Sequence, residues 1–196
     1  MLDTMALATY TLIMSITPGP NNVMVLASGA RFGLRRTLPH LAGITLGFTA
    51  QTIIVAAGFG ALLYGMPRVR LAMQWAGVAY LFYLAIRLLS AGPVGETERT
   101  RPLSIWEGAA FQVVNPKAWV MALTTASVFM PVVGGSALTL LGMAVILSAV
   151  NFPCVTSWAT FGSGIRFWLN EPRRRMLFNV MMAILMVWTG WSMMPA

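Results

Sequence analysis

Acidic residues are scarce: five Asp and Glu in 196 residues, beside one His and one Cys. That set is too small for a plausible metal-ligand cluster. A lone cysteine rules out a disulfide framework within the chain, and Cys154, in an apolar run, reads as a small buried hydrophobe. No Gly-rich phosphate loop with its lysine precedes a helix, so ATP hydrolysis by this chain is excluded. Ser/His/Asp catalysis would need His40 and a buried acid, and His40 sits beside an arginine cluster. The sequence therefore reads as a non-enzyme with no cofactor.

Charge of any sign is sparse. Only 9% of residues are charged, where a soluble domain carries about a quarter. Hydrophobic residues make up 58% and mean hydropathy is +0.74. This is the composition of a polytopic membrane protein. Eighteen Gly and fifteen Met fit close helix packing and adaptable filling between spans. The net charge of +8 would point to nucleic acid in a soluble chain. Here the arginines lie between apolar runs, so they read as a topology signal and no nucleic-acid partner is expected. The first apolar run lacks a basic leader, which makes it a retained span rather than a cleaved signal.

That first run, Thr4 to Ala30, is charge-free and long enough to cross a bilayer. Its centre is Thr17-Pro18-Gly19-Pro20-Asn21-Asn22. Two prolines remove backbone donors and Gly19 relaxes the backbone. The expected structure is two half-helices with an unwound joint at mid-membrane, tolerated where protein covers it or it lines a wet cavity. A packed proline kink is the alternative. Span 2 is expected from Pro39 to Leu63, with Gly43 and Gly47 as a small-residue packing face. Span 3 follows from Val69 to Leu89, where Trp75, Tyr80 and Tyr83 form a packing or interface stripe. Span 4 begins near Ile105, is interrupted at Asn115-Pro116-Lys117, and ends near Met130. Span 5 covers Ala137 to Phe161 and span 6 covers Met176 to Met194, with Gly134-Gly135 splitting spans 4 and 5.

The predicted fold is thus an all-α integral membrane protein of six transmembrane helices. It forms two inverted three-helix repeats, residues 1–92 and 105–196, joined by a cytoplasmic linker at 93–104, with spans 1 and 4 broken at mid-membrane. Arg31, Arg35, Arg36, Arg87, Arg99, Arg101, Arg166, Arg173, Arg174 and Arg175 lie on one side of this alternation; Arg68 and Arg70 lie on the other. That bias places both termini in the periplasm. Aligning Pro18 with Pro116 matches the two breaks, and paired interrupted helices in inverted halves point to a transporter's binding site.

Lys117 is the sharpest single residue. An ionisable group within a span is costly and is a functional candidate by default. It starts a half-helix, where free N–H groups and the dipole favour an anion. The alternative is a structural lysine bonding the carbonyls that the break releases. The candidate substrate-binding set is Pro18, Gly19, Pro20, Asn21, Asn22, Asn115, Pro116 and Lys117. A substrate carboxylate is expected near Asn21, Asn22 and Lys117, and its ammonium near the carbonyls of 15–17 and 113–115. Glu107, the one acid in a span, and His40 are candidates for coupling. Both also read as residues of the membrane edge. Thr45, Thr49, Gln51, Asn151 and Thr156 face either a cavity or a neighbouring helix.

The two break motifs, the Gly29/Gly33 stretch with its arginines, Ala42-Gly43-Ile44-Thr45-Leu46-Gly47-Phe48, Trp75-Ala76-Gly77-Val78-Ala79-Tyr80-Leu81 and Phe111-Gln112-Val113-Val114-Asn115-Pro116-Lys117 resemble the LysE/RhtB superfamily of amino-acid exporters. The Thr-Tyr-Thr-Leu-Ile start at 9–13 is similar to the cysteine/O-acetylserine efflux branch. The resemblance implies secondary active export of amino acids or their derivatives across the bacterial inner membrane, by alternating access, driven by protons or membrane potential. Some members carry an acid in span 2, which this chain lacks. The expected partners are a small amino-acid substrate and the lipid bilayer, and a homodimer stays open. A non-transporting membrane assembly or sensor subunit is the competing reading.

Overall fold

Helix boundaries in this chain follow the residues that forbid continuation. The computed structural model describes residues 2–59, 66–89, 101–129 and 136–192. Eight α-helices and no strand occur among the described residues: α1 (Thr4–Ile16), α2 (Pro20–Phe32), α3 (Leu34–Ile54), α4 (Pro67–Leu89), α5 (Ile105–Val114), α6 (Pro116–Phe129), α7 (Ala137–Gly164) and α8 (Pro172–Ser192). Four of them, α2, α4, α6 and α8, open on a proline. Proline suits the first helical position, where its missing N–H would have had no partner. Other starts are capped by side chains. Asp3 accepts from Ala6 N at 3.0 Å, and Ser136 accepts from Thr139 N at 3.2 Å.

Several boundaries differ from the sequence reading. The first interruption is narrower than 17–22, since Pro20, Asn21 and Asn22 already belong to α2. The second shrinks to Asn115 alone. The basic connector after α2 is one residue, Gly33, at φ 79. A side chain there would be strained, and glycine is not. Arg35 and Arg36 therefore sit in the first turn of α3, which starts five residues before Pro39. Arg173, Arg174 and Arg175 similarly lie in the first turn of α8. Beyond Ile54 the chain makes a π turn, Val55–Phe59, with Gly58 at φ 112. Most of the expected linker and the Gly134-Gly135 split lie outside the described residues.

Two glycine seams hold the bundle together. A Cβ on Gly29 would lie 2.1 Å from the Ala159 carbonyl oxygen, and one on Gly162 would lie 2.1 Å from that of Leu26. The backbones of α2 and α7 are therefore in contact. The expected Gly43/Gly47 face packs α3 on α5 in the same way, against Ile105 and Ala109. The other main pairings are α4 with α8, α3 with α7, α1 with α7, and α3 with α6.

Large apolar side chains cover the outside. Leu138, Leu141, Val145 and Phe161 of α7 are exposed, as are Met176, Ile184, Trp188 and Trp191 of α8. A water-soluble surface would seldom carry so much contiguous apolar area. The stretches Leu34–Gly58 and Ala137–Gly164 are long and apolar enough to cross a bilayer. The all-helical architecture fits a membrane protein.

Candidate functional site

The site is built where two helix interruptions meet. Between α1 and α2 the chain passes through Thr17, Pro18 and Gly19 in extended backbone, and carbonyls that would have continued the helix are released. Side chains recapture them. Asn22 Nδ2 donates to Ser15 O at 2.9 Å and Thr17 O at 2.8 Å. Trp158 Nε1, from α7, donates to Ile16 O at 3.1 Å. The Lys117 ammonium, from the start of α6, donates to Thr17 O at 2.7 Å and Pro18 O at 3.4 Å. The Thr17 hydroxyl donates back to Ile13 O.

The second interruption is closed mostly by its own neighbourhood. Asn115 Oδ1 accepts from Lys117 N at 3.1 Å. Trp119 Nε1 donates to Val113 O at 2.7 Å. Gln51 of α3, with its amide turned to give both ends a partner, donates to Gln112 O at 3.2 Å.

The two interruptions are also tied to each other. Asn21 Nδ2 donates to Gln112 Oε1 at 2.9 Å, and Gln112 Nε2 returns a bond to Asn21 Oδ1 at 3.1 Å. A buried chain extends the network sideways. Thr45 Oγ1 donates to Asn151 Oδ1 at 2.9 Å, and Asn151 Nδ2 donates to Ser15 Oγ at 3.0 Å. Buried amides satisfied at both ends hold a fixed orientation.

Beside these bonds lies a narrow, part-open cleft. Its polar side is Ser15, Gly19, Asn21, Asn22, Asn115, Lys117 and Asn151; its apolar side is Met14, Phe48, Ala118, Met121 and Val155. A small pocket with a few convergent polar groups and an apolar wall suits a small amphiphilic ligand.

The model of LysE type translocators matches residues 12–195. This chain belongs to the LysE family. A cysteine/O-acetylserine efflux protein of Klebsiella pneumoniae is 34% identical over 157 residues, 80% of each chain. Proteins of the same description from Escherichia coli and Salmonella typhimurium are 30% and 28% identical over 180 residues, 92% of this chain and 91% of theirs. No solved structure is a match.

In this LysE-family chain the residues singled out from sequence separate into groups. Gly19, Pro20, Asn21, Asn22, Asn115 and Lys117 line the cleft. Pro18 and Pro116 shape the two interruptions without lining it. Glu107 stands apart. It forms the capping box of α5 with Ser104 and pairs with Arg101 at 2.7 Å, on the exposed side. His40 does not sit at an exposed edge. It is 1% exposed, packed where Gly108 of α5 approaches its backbone and ring. Thr45 and Asn151 bond each other, and the Thr156 hydroxyl donates to the Phe152 carbonyl of its own helix. Gln112, the Ser15 hydroxyl and the indoles of Trp119 and Trp158 were not candidates. Their one sequence signal is a polar or indole N–H group within a few residues of an interruption or on an apolar span.

Proposed function

We propose that this chain is a secondary exporter of small amino acids or their derivatives, and that the cleft between the two interruptions is where substrate binds. The observation that carries this is the convergence of both interruptions on one amphiphilic cleft. In a bilayer, released backbone is tolerated where protein covers it or where it borders water. The names of the relatives point to cysteine and O-acetylserine as first substrates to try. The apolar wall of Met14, Phe48, Met121 and Val155 would face the substrate's side chain.

The molecule is read as six spans in the bacterial inner membrane. Helices α1 and α2 are the halves of one span and α5 and α6 the halves of another. Residues 1–92 and 105–196 form inverted halves, with both termini periplasmic. Exchanging the halves maps α1 to α5, α2 to α6, α3 to α7 and α4 to α8. Under that exchange the pairs α3–α7 and α4–α8 map onto themselves, α1–α7 onto α5–α3, and α2–α7 onto α6–α3. All of these pairings occur. Rocking of one half on the other would alternate access to the cleft.

Proteoliposome counterflow of O-acetyl-L-serine and L-cysteine tests the activity, and the expected result is substrate-dependent accumulation. Efflux from loaded cells carrying K117M or N21A tests the site. Loss of at least about tenfold in rate, ~1.4 kcal/mol, is expected from either. Normal export by correctly inserted variants would place the substrate elsewhere. No flux of any amino acid would favour an assembly or sensor subunit.

A further inference from the structure

The Lys117 ammonium stands on two backbone carbonyls, Thr17 O and Pro18 O, one hundred residues away in sequence. A primary ammonium has three donors and no acceptor, and carbonyl oxygens only accept. The shorter bond, 2.7 Å, is in the charge-assisted range. These carbonyls, outside the cleft's lining but joined to it by Lys117, therefore form a seat for a primary ammonium. The α-ammonium of an amino acid is chemically the same group as the end of a lysine.

Two further observations bear on what else enters. Among the described residues no Asp or Glu lines the cleft, so Lys117 brings a positive charge with no carboxylate opposite it there. And Gly19 packs against that lysine. Its backbone, φ −172 and ψ 178, is extended and open to any residue. A Cβ there, however, would lie 2.9 Å from Lys117 Cδ and 3.0 Å from Nζ.

We propose that Lys117 is a tethered occupant of the substrate's ammonium seat, and that it makes the carrier demand a carboxylate on whatever displaces it. The inference rests on the reading of the cleft as the substrate site. An incoming zwitterion places its ammonium on Thr17 O and Pro18 O. Lys117 swings off and pairs with the carboxylate the same molecule carries, so charge balances. An amine without a carboxylate would leave two cations side by side, which is costly. It must also compete with an ammonium held on the same chain, at an effective concentration on the order of mM or above. Lys117 thereby selects amino acids over their decarboxylated or esterified forms.

Calorimetric titration of n-propylamine into purified wild type, K117M and K117A tests this. Either substitution removes the lysine ammonium from the seat. The expected result is binding by both variants at concentrations at least about tenfold below any wild-type response. Identical titrations for all three proteins, or n-propylamine that stimulates counterflow by acting as a structural replacement, would overturn the seat. Should wild type move no amino acid while both variants still take up the amine, the seat stands and the transport reading falls.

Discussion

The two interruptions begin from similar chemistry and end in different states. Each is followed by a proline that opens the next helix. The first leaves three residues unwound and is stitched by donors from three elements, α2, α6 and α7. The second leaves one residue unwound, and Asn115 bonds the next helix start itself. The lysine that belongs to the second serves the first. The two joints are therefore not one kind of object. The second is closed mostly by its own neighbours, with Gln51 of α3 added, and the first is closed by donors from three helices.

Ways to break that comparison run from large to small. The seams beneath the interruptions come first. G29V would drive side-chain atoms into the Ala159 carbonyl, where a Cβ alone lies at 2.1 Å. Backbone contact offers no relief, so a loss of about 3 kcal/mol is expected, read as thermal melting in detergent. Unchanged melting would mean that α2 and α7 are not locked as described. Next, N22A strips donors from Ser15 O and Thr17 O and is expected to cost about 2 kcal/mol. N115A removes chiefly one cap and is expected to cost about 1 kcal/mol. Equal losses would erase the distinction between a joint closed by three helices and one closed mostly by its own neighbours. W158F deletes a single bond to Ile16 O, with an expected cost of about 1 kcal/mol or less. Last, E107Q loosens an exposed pair with Arg101, worth under about 1 kcal/mol. Counterflow and its dependence on an imposed pH gradient should be unchanged. A shifted pH dependence would return Glu107 to the coupling step.

Local chemistry made part of this architecture readable. Pro18, Gly19, Pro20, Asn115 and Pro116 act on their own backbone, so the ends of the helices on either side could be placed from sequence, though both joints were drawn too wide. Proline's fitness for a first helical position, as well as for breaking one, explains that excess. Gly43 and Gly47, one turn apart, announced a seam. What stayed hidden depends on distance along the chain. The Asn21–Gln112 pair spans 91 residues, Lys117 to Thr17 spans 100, and Asn151 to Ser15 spans 136. Neither periodicity nor capping rules reach so far. The burial of His40 was hidden for the same reason: Arg36 lies four residues before it in sequence, but Gly108 packs against it in space.

The single residue between α2 and α3 has a mechanical consequence. Gly33 leaves no slack, and the Ser28 and Thr37 hydroxyls clasp across it at 3.0 Å. Helix α2 and its long neighbour α3 are thus welded into a bell crank with its elbow at Gly33, so a tilt of α2 at Asn21 would swing α3 with it.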